Sequence, residues 1–190
     1  MIRMLVPAAS ALALLAACGQ NDNQMAQDPV DAAQDAASVP VGQMSAATLG
    51  ANTVEGYVTN AAIGDMYEIQ AAEIALERSQ NAEVRELAQM IRDDHTAASQ
   101  RMQSIVQGGN IDAELPTELD ERRQGLIDNL REAYRFDEVF IDQQVAAHQE
   151  ALTLHRGFAD NGDVPALAAH AREVTGPIER HLQRARALDQ

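Results

Sequence analysis

The chain has 190 residues, no lysine, 14 basic against 29 acidic side chains, and a formal charge of −15. So acidic a surface repels phosphates and anionic headgroups, which excludes a nucleic-acid partner and a polybasic membrane patch. Three Phe, three Tyr and no Trp disfavour a sandwich or barrel and favour an all-α domain, and a single cysteine excludes an intramolecular disulfide.

Residues 1–17 read as a lipoprotein signal peptide. Arg3 gives the basic start. Leu5 to Ala17 is apolar but shorter than the roughly 20 residues that span a bilayer. It ends in Leu15-Ala16-Ala17-Cys18, a lipobox in which Cys18 supplies the thiol for lipid attachment. Two or more acyl chains anchor stably. Gly19, rather than Asp, is compatible with outer-membrane delivery in a Gram-negative cell. Residues 18–51 are rich in Gln, Asn, Asp, Ala and Pro with no sustained apolar period, which predicts a disordered tether with a span of about 30 Å. The expected location is therefore the cell envelope, lipid-anchored and facing the periplasm.

The folded domain is expected over residues 52–190. Its first helix starts near Asn52 or Thr53, with Asn52 and Glu55 spaced as a capping box. The apolar stripe predicted for it is Val58, Ala62, Met66, Ile69, Glu73 and Leu76. It stops at Ser79-Gln80-Asn81, where Asn81 caps a second helix. That helix has the cleanest period of the chain: Val84, Ala88, Ile91, His95, Ala98, Met102 and Ile105. Gly108-Gly109 ends it, through glycine's tolerance of the left-handed conformation. After a loop from Asn110 to Pro116, Thr117 and Asp120 start a short helix. An unbroken helix from there to His155 would run about 66 Å against about 40 Å for its neighbours, so a break is predicted near Tyr134 to Asp137. The third long helix covers Arg135 to Asp160, with Ile141, Val145, His148, Leu152 and His155 on one stripe. Asp160-Asn161-Gly162-Asp163 turns the chain. The fourth covers Val164 to Leu188, with Leu167, Ala171, Val174, Ile178, His181 and Ala185 inward and a kink at Gly176-Pro177. A connection of roughly 27 residues between the second and third long helices allows the chain to return along the bundle. The predicted fold is a ferritin-like antiparallel four-helix bundle with a long helical crossover.

The segments DMYEIQAAEIALERSQNAEVRELAQMIRDDH, FDEVFIDQQVAAHQEAL and GPIERHLQRARAL resemble the predicted outer-membrane protein family known as domain of unknown function 4142. The resemblance covers about Tyr57 to Leu188 and rests on Glu68, Asp94-His95, Phe136-Asp137, His148 and Pro177 with His181. It implies a ferritin-like fold, residence in the bacterial envelope and no established activity. Glu73 departs from it, standing where a longer basic or neutral residue is expected.

A di-iron site of the ferritin-like kind needs Glu-x-x-His motifs, and none of the five histidines has a glutamate three residues before it. Helix arithmetic instead places Glu68, His95 and His148 about 18–21 Å from the end that holds the first turn. His181 falls at about 10 Å, level with Glu73 and Asp142. The candidate metal ligands are thus His95, His148, Glu68 and His181, a donor set that suits zinc, copper or iron. The competing reading makes these structural polar layers that fix helix register. His155 and His170 are expected at the boundary, Asp93-Asp94 and Glu77-Arg78 on solvated faces, and Met66, Met90 and Met102 as core filler. No nucleophilic triad or phosphate-binding glycine loop is present. The expected function is a structural or binding role in the envelope rather than catalysis, with self-association or an envelope protein as partner. The alternative is transition-metal binding or metal-dependent redox chemistry.

Overall fold

The computed structural model describes residues 53–189. The signal peptide, Cys18, the tether and Asn52 lie outside these. The described residues form five helices and no strand: α1 Val54–Arg78, α2 Ala82–Gly108, α3 Glu121–Glu132, α4 Phe136–Asn161 and α5 Pro165–Leu188. None is long and apolar enough to cross a membrane.

The helix starts are set by side-chain caps. Thr53, not Asn52, begins α1: its Oγ1 accepts from the Gly56 N–H at 3.1 Å. Asn81 caps α2 through the Glu83 N–H at 2.9 Å. Asp120 rather than Thr117 starts α3, because its carboxylate takes both the Arg123 N–H at 2.7 Å and the Arg123 guanidinium at 2.5 Å. The ends are clamped by arginines. Arg85 donates to the carbonyl of Leu76 and closes α1. Arg78 donates to the carbonyls of Leu130, Arg131 and Ala133, groups that the end of α3 leaves without intrahelical donors. Its guanidinium also lies 4.8 Å from the Phe136 ring centre. Arg78, read from sequence as part of a solvated face, thereby fixes the break between α3 and α4. At the end of α2 the left-handed residue is Asn110, with φ 47°, while Gly109 is right-handed. Gly109 serves a different need: a Cβ there would stand 2.8 Å from the Ile105 carbonyl oxygen.

The four long helices pack antiparallel to their neighbours. Tyr57 at the start of α1 stacks on Phe158 near the end of α4, and Arg78 at the end of α1 meets Phe136 at the start of α4. On the opposite side, Glu83 and Glu86 of α2 pair with Arg184 of α5, and Asp94 pairs with His181. Helices α2 and α4 therefore run in the same direction, and residues 109–135, including α3, carry the chain back between them. α3 lies against α1 and α4.

The core is split along its length. One apolar cluster, with Tyr67, Leu87, Ile91, Leu130 and Phe140, fills the end at the α1–α2 turn. Another, with Tyr57, Val58, Met102, Phe158 and Leu167, fills the far end. Between them lie Asp65, Glu68, His95, His148 and His181, all buried. The inward stripes of α2, α4 and α5 follow the predicted period, with Ala98, Ile105 and Val145 half-buried. That of α1 follows it at Val58 and Ala62, which are buried, and departs from it beyond them. Its buried residues include Tyr57, Ala61, Asp65, Glu68, Ala71 and Ala75, while Met66 and Ile69 are half-buried and Glu73 is exposed. The helix is rotated by about one residue, roughly 100°. Alanines at 61, 71 and 75 let α1 approach its neighbours on the face that carries Glu68. α5 continues through Pro177. Tyr134, 92% exposed, is the large hydrophobic residue exposed among those described.

Candidate metal centre

Three helices each contribute one histidine to the middle layer: His95 from α2, His148 from α4 and His181 from α5. All are nearly inaccessible, at 5%, 0% and 1% exposure. One ring nitrogen from each lies within 4.8 Å of those of the other two. The ring centres are 5.2–5.7 Å apart. Helix α1 faces them with Asp65 and Glu68.

Each ring is held through one nitrogen. His95 Nδ1 bonds Asp65 Oδ1 at 2.8 Å. His181 Nε2 bonds Asp94 Oδ2 at 3.1 Å. His148 Nδ1 donates to the Gln144 backbone carbonyl at 2.8 Å. A carbonyl can only accept, so His148 carries its proton on Nδ1 and presents a bare lone pair at Nε2. The nitrogens left over are His95 Nε2, His148 Nε2 and His181 Nδ1, and each is buried without a hydrogen-bond partner. Buried polar atoms in native proteins are almost always paired, and three orphans in one layer point to a group that would pair them. Imidazoles whose second nitrogen is fixed by a carboxylate or carbonyl are the usual form of histidine ligands to a metal. The residues fit a metal ion.

The electrostatics agree for two of the three rings. Burial pushes His148 well below the usual histidine range, helped by the nearness of His95 and His181. Burial, again with His95 beside it, takes His181 down to about 4 despite the opposing Asp94. Both are neutral at pH 7, as a ligand must be. Burial also works against charge on His95, but its hydrogen bond to Asp65 and the carboxylates of Asp65, Glu68 and Asp94 raise its pKa overall. Glu68 is raised to about 7 by burial, with His95 pulling the other way. Its Oε1 lies 3.6 Å from His148 Nδ1, and its Oε2 is buried without a partner.

The four candidate ligands thus meet in one layer. His181 does not sit in a separate layer with Glu73 and Asp142. Glu73 is exposed, and α5 stops short of the α1–α2 turn, so depth counted from flush helix ends misplaces His181 by roughly two turns. The sequence reading passed over Asp65 and Asp94. Asp65 left a signal, since it precedes Glu68 by three residues and so shares its helix face. Asp94 was assigned to solvent, and is in fact half-exposed with one oxygen on His181. His155 and His170, expected at the boundary, are buried. His155 Nδ1 shares a hydrogen bond with the Tyr57 hydroxyl at 3.1 Å.

Two small cavities flank the trio. One of about 40 Å³ lies toward α3 and includes Glu68, His95, Arg122, Arg123 and Glu150 in its wall. The other, about 30 Å³, lies between α2 and α5 and includes Asp65, Asp94, His95, Ala98, Pro177 and His181.

The family described as "Domain of unknown function (DUF4142)" matches residues 39–188. No curated protein matches the chain. Three solved structures are similar. "CopM in the Cu(II)-bound form" aligns with TM-score 0.64 at 20% identity, over 73% of this chain and 96% of that one. "CopM in the Ag-bound form" aligns with TM-score 0.60 at 21% identity, over 71% and 93%. A DUF305 fragment from Deinococcus radiodurans aligns with TM-score 0.60 at 16% identity, over 70% and 91%. At these identities the likeness is one of fold.

Proposed function

Because this chain belongs to the DUF4142 family, whose description names no activity, we propose a function from the site itself: the protein binds one transition-metal ion through His95, His148 and His181. The observation that carries this reading is the set of three buried, partnerless imidazole nitrogens, each on a ring pinned from behind. Nitrogens around a tetrahedral ion with bonds of about 2.0–2.1 Å stand about 3.4 Å apart, so the rings close inward by under an ångström each on loading. Asp65, Glu68 and Asp94 supply the negative charge that a buried dication requires. Glu68 is placed to complete the ligand set or to orient His148. Three imidazoles suit zinc, copper and ferrous iron. Two fold neighbours were solved with Cu(II) and silver, which makes copper the first ion to try. When bound, the ion supplies Lewis acidity or, for copper and iron, a redox couple, while the protein's part is to hold it away from water.

The same proposal extends to architecture and place. The bundle is ferritin-like with a crossover, without the carboxylate motifs of a di-iron site. It hangs from a lipid on Cys18 at the periplasmic side of the envelope, and Gly19 favours the outer membrane. Cys18→Ser should release the protein from membranes into the soluble fraction.

The test of the metal reading is titration of the full chain with Cu(II) and Co(II). One ion per chain is expected, with binding lost in His95→Ala and His148→Ala at unchanged helicity. The hydrogen bonds that already satisfy one nitrogen of each ring favour a second reading, a structural polar layer. Absence of binding by any ion, with reduced thermal stability in the same variants, would establish that instead.

A further inference from the structure

The histidine trio is closed to solvent, so an ion needs a way in. We propose that the α2–α5 face at Asp94 and Pro177 is the cation port, and that Asp94 captures the ion at its mouth on the way to the trio. The port presupposes the metal-binding reading above.

Each flanking cavity offers a route, and they differ in charge and in closure. The cavity toward α3 has two guanidiniums in its wall. Arg122 grips Glu150 through both oxygens at 3.0 and 2.9 Å, and Arg123 holds Glu150 at 3.1 Å and Asp120 at 2.5 Å. That wall also holds Asp65, Glu68 and Glu150, so its charges are mixed, and an ion-pair lattice that ties α3 to α4 closes it. The α2–α5 cavity has two carboxylates, Asp65 and Asp94, and no cation in its wall. A wall of one sign concentrates ions of the other. Asp94 is 43% exposed, yet its Oδ2 is 3.1 Å from the buried His181 ring, so one carboxylate touches both solvent and a ligand. Arg180 sits at the mouth, 3.8 Å from the same oxygen, and partly offsets its charge. Pro177 lines the cavity and has no N–H to give the Glu173 carbonyl, so α5 lacks a backbone bond at the wall that must yield. Ala98, across the cavity on α2, leaves the space that a larger side chain would fill.

The experiment is stopped-flow loading of the full chain with cobalt chloride, followed by the visible absorption of bound Co(II). Asp94→Asn removes the charge but keeps an oxygen that accepts the His181 N–H. Its loading rate should fall roughly three- to tenfold at low salt, with the gap shrinking at high salt. Arg180→Gln should load faster. Ala98→Leu, which fills the port, should slow loading without altering the final spectrum, whereas Ala151→Leu in the other cavity should not. Circular dichroism confirms that the leucine variants fold, and Asp94→Asn stands independently of them. Wild-type rates in both Asp94→Asn and Ala98→Leu, with slow loading in Ala151→Leu, would overturn the port and leave the metal site standing. A wild-type chain that takes up no cobalt would overturn the site, and the port with it.

Discussion

His148 shows how one side chain is committed by its surroundings. It is fully buried, its proton is placed on Nδ1 by a main-chain carbonyl, its remaining nitrogen has no partner, and its ring lies beside two other imidazoles. A glutamine at that position would keep polarity and lose the fixed lone pair, so His148→Gln should abolish metal binding with a smaller loss of stability than His148→Ala. The Tyr67 hydroxyl is a structural counterpart. It donates to Gln143 Oε1 at 2.8 Å in the core, and Tyr67→Phe would strand that oxygen. The expected loss is about 1–3 kcal/mol, read from the urea midpoint. His155 sets an acid limit. Burial, followed by the charges of His170 and His95, takes it down to about 3 from the ordinary histidine value near 6.5. Between those values the unfolded chain binds a proton that the folded chain refuses. Its contribution to stability is whole above pH 6.5 and declines as pH falls toward 3, by at most about 1.4 kcal/mol per pH unit. Urea denaturation from pH 7 to 4 should show this decline, and His155→Asn, which can still meet the Tyr57 hydroxyl, should make it shallower, the other buried histidines supplying the rest. Residue types named the four candidates, and helical spacing put Glu68, His95 and His148 in one layer but His181 about two turns away. Asp94 was not, because a carboxylate beside another aspartate on a charged face looks solvated until the partner helix is in place.

At the level of the helix, legibility followed the contrast between faces. α2 alternates apolar and charged residues cleanly, and its inward side could be read directly. In α1, alanines and larger apolar residues occur on more than one face, and the period alone chose the wrong one. What decided the rotation was closeness of approach: Ala61, Ala71 and Ala75 fit an interface that Met66 and Ile69 would hold apart. That same rotation brought Glu68 to the centre of the bundle. Helix ends governed by local caps, such as Asn81, were legible. The end of α3 was only located to within a few residues, because the side chain that finishes it comes from Arg78, about fifty positions earlier. Arg78→Ala should leave those carbonyls unpaired and loosen the end of α3. Hydrogen exchange should accelerate there, with a global loss of about 1–3 kcal/mol. Lysine should rescue little, since a single ammonium cannot reproduce the spread of the guanidinium fork.

Across the whole molecule, the −15 charge draws cations toward the bundle. The polar layer that would receive one also separates the apolar clusters at the two ends, leaving a smaller third cluster of Leu152, Val174, Ile178 and Leu182 between α4 and α5. An interrupted core has a consequence for cooperativity. With the layer empty, the smaller α4–α5 cluster is the apolar link beside it, so native-state hydrogen exchange should resolve two opening free energies, one for each end. An ion bound to α2, α4 and α5 in that layer would tie the opening of one end to that of the other. Loading should then merge the two classes of amide into one and turn a stepwise melt into a single transition.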